Sequence, residues 1–83
     1  MKMWYIEIEE CGNGIFDSKE KAIEGIRSFL KGFNNGSKII GIEEIDNTEF
    51  FENYLIKIMW ENDKENVCTY WLEGLKVNTF LPA

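Results

Sequence analysis

The sequence predicts an α+β domain: one amphipathic helix packed on one face of a four- or five-strand, mainly antiparallel sheet, in the order β-α-β-β-β. Two kinds of periodicity carry that expectation. Residues 2–10 alternate apolar and polar side chains with the period of two of a strand that buries one face. Residues 20–33 instead repeat apolar residues at three- and four-residue steps, the spacing of a helix with one apolar stripe. From residue 38 onward, further strand-like runs are divided by polar turns.

In the first run Trp4, Ile6 and Ile8 point one way, and Met3, Tyr5, Glu7 and Glu9 the other. Its β-branched and aromatic residues suit a pleated, half-buried surface. Cys11-Gly12-Asn13-Gly14 then reads as a turn, because Gly and Asn tolerate positive φ. Asp17 and Glu20 have capping-box spacing, with Ser18 an alternative N-cap one residue later. Ala22, Ile23, Ile26, Phe29, Leu30 and Phe33 form the apolar stripe, and Glu20, Glu24, Arg27 and Lys31 fall on the wet side. Gly32 and the Asn34-Asn35-Gly36 run are expected to end the helix through left-handed conformations. Gly25 sits mid-helix at a cost of about 1 kcal/mol relative to alanine, which a close approach of helix to sheet would explain.

Residues 38–45 read as a second strand and residues 52–61 as a third, with Tyr54, Ile56, Ile58 and Trp60 on one face and Leu55, Lys57 and Met59 on the other. The polar turn Asn62-Asp63-Lys64-Glu65-Asn66 returns the run from Val67 to Glu73 antiparallel, as a hairpin. After Gly74, residues 75–80 are either a short fifth strand or an edge extension. A lone helix covers only one face of such a sheet. Met3, Tyr5, Leu55 and Met59, with either Tyr70 or Trp71, alternate onto the other, and exposed apolar area of that size marks an interface.

With 83 residues there is room for one domain, residues 1–83, which buries only about 60–65% of the surface its unfolded chain exposes. The apolar share of 45% and aromatic share of 14% exclude a disordered chain. No apolar run approaches the roughly 20 residues of a membrane span, and the N-terminus lacks the basic start and apolar stretch of a signal peptide. A soluble, cytoplasmic protein is expected. The net charge of −6, with basic residues scattered singly and Arg27 the only arginine, argues against direct binding to nucleic acid or to anionic membranes. A charged partner would be basic. Cys11 and Cys68 lack metal-ligand spacing and are expected to be reduced.

The chain has no histidine, which removes the commonest general base and the Ser-His and Cys-His nucleophile pairs. Gly12-Asn13-Gly14 fits neither the P-loop nor the dinucleotide fingerprint. Neighbouring carboxylates such as Glu9 and Glu10, or Glu43 and Glu44, diverge on a strand and cannot act as an acid–base pair. A calcium loop opening at Asp46 fails at Phe50, and Lys57 stands where its closing glutamate would fall. No enzyme, cofactor or metal site is expected.

One segment is different in kind. Glu43, Glu44, Asp46, Glu49 and Glu52 place five carboxylates within ten residues, interrupted by Phe50 and Phe51. Carboxylates spaced along a loop with aromatic anchors fit a docking surface for a Lys/Arg-rich groove. They also fit a solvated connection whose phenylalanines turn inward. Tyr5 is a further candidate anchor, and Glu7, Glu9, Glu61, Asp63 and Glu65 could extend the negative field.

The helix entry Ile15-Phe16-Asp17-Ser18-Lys19-Glu20-Lys21-Ala22 resembles a pattern recurring in small domains of low-GC Gram-positive bacteria and their phages, in which a strand, a turn and a capped helix lead into further strands. Eleven Ile, eight Asn and eight Lys against one Arg match AT-rich coding sequence. Small size and acidity are also similar to those of phage-encoded inhibitors of host defence, including anti-CRISPR proteins, several of which imitate nucleic acid with rows of carboxylates. The resemblance implies a non-enzymatic inhibitor that binds a basic, nucleic-acid-binding host protein, and it transfers no site residue. Two other readings stay open: a housekeeping or structural domain that self-associates as a homodimer through the uncovered sheet face, and a small-ligand binder with a pocket between helix and sheet lined by Trp4, Trp60 or Trp71.

Overall fold

A computed structural model describes residues 2–8, 12–32, 36–48 and 50–77. The fold is mixed α+β, with strands β1 (Lys2–Ile8), β2 (Gly12–Phe16), β3 (Lys38–Asn47), β4 (Phe51–Met59) and β5 (Val67–Lys76) and one helix, α1 (Lys19–Lys31). All strand pairs are antiparallel in a single sheet of order β2-β1-β5-β4-β3. β5 therefore lies at the centre, and β1 pairs with it from Lys2↔Lys76 to Ile6↔Leu72.

The segment read as a turn at Gly12-Asn13-Gly14 is instead the start of β2, so the order is β-β-α-β-β-β. The reason lies in a side chain further along. Phe16 folds its ring back over Gly14, where an added Cβ would lie 2.7 Å from the ring, and the same ring lies 2.6 Å from where a Cβ on Gly25 of α1 would sit. An aromatic ring thus covers the bare backbone and makes a glycine strand workable. The mid-helix glycine has the same explanation. Trp4 does likewise for Gly74, whose Cβ would meet the indole at 2.7 Å, which lets β5 run unbroken to Lys76.

The helix begins one residue later than a cap at Asp17 would place it. Ser18 is the N-cap, its Oγ accepting from the Lys21 N–H at 3.1 Å. Asp17 is turned outward to Lys21 Nζ, 3.0 Å away. Gly32, expected in a left-handed cap, is right-handed at φ −73°, its N–H donating to Phe29 O at 3.1 Å in a tightened last turn. Asn34, Asn35 and Phe33 lie outside the described residues, as does Cys11, while Cys68 is a free, half-buried thiol.

The pairing puts Trp4, Ile6, Tyr54, Ile56, Ile58 and Leu72 on one register face, and strand alternation adds Ile8. All seven are buried, and with Ala22, Ile26 and Leu30 of α1 they make one hydrophobic cluster. Met3, Tyr5, Leu55, Met59 and Trp71 occupy the opposite face, which assigns Trp71 rather than Tyr70 to it. At the edge, β3 carries register shifts between Ile39 and Gly41 and between Glu44 and Asp46. Such bulges blunt an edge strand against pairing with another chain.

The Phe16 wedge reverses the usual sign of a helix substitution. Gly25→Ala, worth up to about 1 kcal/mol of stabilisation in an ordinary exposed helix, should here cost about 1–3 kcal/mol through overpacking. Urea unfolding followed by tryptophan fluorescence measures it, and a stabilised variant would contradict the wedge.

Candidate functional site

Most of the acidic segment is strand: the strand expected over residues 38–45 already holds Glu43 and Glu44, and β3 runs on through Asp46 to Asn47. Glu43 and Glu44 lie within β3, Glu52 lies within β4, and the connection between them is a short turn ordered by Thr48. Thr48 Oγ1 accepts from the N–H groups of Phe50 (3.3 Å) and Phe51 (3.1 Å), while its own N–H donates to Phe51 O at 2.7 Å. Once the residues are strand, alternation divides the carboxylates between two faces. Glu43 stands opposite Leu55, on the face of Trp71. Glu44 and Glu52 stand on the face of Tyr54.

Two of these carboxylates are also matched by lysines distant in sequence. Glu52 accepts from Lys2 Nζ in a contact whose side chains are only about one-quarter exposed. Glu43 Oε2 lies 3.3 Å from Lys57 Nζ, in a more exposed pair. Glu44 accepts from Asn47 Nδ2 at 3.5 Å. Asp46 occupies the register position opposite Asn53, and Glu49 and Glu9 lie outside the described residues. Phe50, immediately before β4, is half-buried beside the end of β5, its carbonyl accepting from the Lys76 N–H at 3.2 Å and Lys76 Nζ lying 6.0 Å from its ring centre. At the far hairpin Asp63, Glu65 and Glu61 are exposed, and Glu61 is 3.3 Å from Lys64.

The face opposite the core brings other residues together. Register across the sheet gives a row Ile15–Tyr5–Glu73–Asn53, a row Trp71–Leu55–Glu43, and a row Met3–Leu75–Phe51. Glu7 faces Asn13 on the same side. Tyr5, Glu7, Glu43 and Phe51 of the sequence-derived candidates therefore share this face, whereas Glu44, Phe50 and Glu52 do not. Trp71 is 49% exposed, Val67 47% and Ile15 64%. Among the described residues nothing forms a second layer over them. Ile15, Val67 and Leu75 were not legible as site residues, because the first belongs to the strand hidden behind two glycines, the second opens its run at the polar turn, and the third lies beyond Gly74, past the run read from Val67 to Glu73.

A separate cleft of about 180 Å³ opens between the β1–β2 hairpin and α1. Its walls include Ile6, Ile8, Phe16, Ile26 and Phe29, so it lies between helix and sheet, but Trp4, Trp60 and Trp71, the lining expected for a ligand pocket there, are not among its described walls. No helix among the described residues is long and apolar enough to cross a membrane. Compared with known protein families, curated proteins and solved structures, the chain matches none.

The two lysine–glutamate pairs differ in solvent access and should differ in worth. Glu52→Gln should cost about 1 kcal/mol of unfolding free energy, whereas Glu43→Gln should cost under about 0.5 kcal/mol, as exposed pairs do. Equal costs in urea unfolding at low salt would contradict this ranking.

Proposed function

We propose that this chain is a non-enzymatic protein-binding module whose contact surface is the sheet face carrying Tyr5, Leu55 and Trp71. In this reading α1 roofs the buried face alone and leaves the other available. The observation that carries it is Trp71, a large aromatic 49% exposed and standing opposite Leu55 in the sheet's interior strands. Tryptophan in the middle of a patch is the residue type that most often dominates binding energy. Five strands about 4.8 Å apart and some eight residues long present roughly 600 Å², close to the ~800 Å² per partner of a standard interface.

The partner is a basic protein. Glu7 and Glu43 fringe the apolar rows, Glu73 stands between two of them in the central strand, and the chain as a whole carries −6. That charge disfavours face-to-face contact with an identical copy and steers a cationic surface toward the patch. An inhibitor of a nucleic-acid-binding host protein, of the phage or mobile-element kind and acting in the host cytoplasm, fits this size and charge. Since lysines offset Glu43 and Glu52, apolar contact supplies the affinity and the carboxylates supply orientation.

The test is retention of host-lysate proteins on the immobilised chain beside its Trp71→Ala variant. The expected result is a basic protein held by the wild type, released in part by salt, and bound at least tenfold more weakly by the variant. Equal retention by both would overturn the reading. So would a wild-type dimer by light scattering at micromolar concentration that becomes a monomer on Trp71→Lys, since the face would then be self-filled.

A further inference from the structure

Interiors pack closely, and voids larger than a water molecule are few in a domain. The cleft between the β1–β2 hairpin and α1 departs from that, and the departure is built from both sides. Gly12 and Gly14 stand opposite Ile8 and Ile6 on the core face of the sheet, so β2 projects no side chain there until Phe16. On the helix, Gly25 leaves the matching position bare. The Phe16 ring occupies only the space immediately over Gly14 and Gly25. Beyond it Ile6, Ile8, Ile26 and Phe29 bound an opening of about 180 Å³.

The lining sets the chemistry. Among the described residues no titratable side chain borders the cleft, and Asn13 is the only one of them there with a polar side chain. The cleft opens to solvent and its surface is mostly apolar, so a water inside it finds few polar partners to hold it. An apolar cavity of roughly 150 Å³ is enough to hold benzene, so this larger cleft, open on one side, suits one aromatic ring or a small fused pair. A charged ligand would lose its hydration without a partner. We infer that this cleft is a binding site for a small, neutral, apolar molecule of one- or two-ring size, separate from the sheet face on which the proposed docking rests.

The eleven isoleucines supply the readout. Indole is titrated into protein carrying labelled isoleucine δ-methyl groups, and methyl shifts are followed by NMR. Saturable shifts at Ile6, Ile8 and Ile26, with Ile56 and Ile58 at rest, are expected. Phe29→Trp, which adds ring atoms at the wall of the cleft while keeping an aromatic residue at a half-buried position, should weaken that binding at least tenfold without lowering the melting temperature by more than a few degrees. Failure of all three methyls to shift saturably would overturn the site. Shifts spread equally over the exposed Ile15, Ile40, Ile42 and Ile45 would overturn it too, by showing partition onto the surface. Should Phe29→Trp fail to fold, Ile26→Met, which changes the wall without adding a ring, must alter the indole affinity, and an unchanged affinity would count against the site.

Discussion

Across the centre of the sheet, Ile6, Leu72 and Tyr54 form one row over three strands, and every other feature follows from that register. It commits one face to the hydrophobic cluster and the other to whatever remains. A slip of one residue would exchange the two faces entirely. The register joins Lys2–Ile6 to Leu72–Lys76 across nearly the whole chain, so the sheet's central strand pair forms only when both ends meet. Such long-range pairing is slow to form, because loop closure precedes any gain from contact.

Aromatic rings make this arrangement possible in a chain with seven glycines. Trp4 covers Gly74 in the central strand, and Phe16 covers Gly14 in the edge strand while touching the helix at Gly25. The same wedge that fastens α1 to β2 holds the two elements apart beyond the ring, which leaves the cleft. Stability and cavity here have one cause. Among the described residues the far face has no such covering, and Trp71, Val67 and Ile15 remain exposed on it.

Much of the fold was legible because periodicity is a strong signal. The face of each residue in 2–8 and 52–59, the helix body and its wet side, and the hairpin at 62–66 all follow from spacing alone. β2 was not legible, since Gly12-Asn13-Gly14 has the composition of a turn and only the returning Phe16 ring makes it a strand. For the same reason a pocket between helix and sheet could be expected but its lining by Phe16 and the β2 glycines could not. The acidic segment misled in a different way: five carboxylates within ten residues suggest a loop beyond residue 45, yet β3 runs on through Asp46 to Asn47 and β4 begins at Phe51. Its neutralising partners, Lys2 and Lys57, come from strands whose order no local pattern reports.

The most direct test of the central claim, that one sheet face stays uncovered within a single chain, is hydroxyl-radical footprinting read by mass spectrometry at a dilution where light scattering gives a monomer. Trp71, Met3 and Met59 should be oxidised readily while Trp4, 6% exposed, is protected. Protection of Trp71 equal to that of Trp4 would show the face sealed, and would contradict the account.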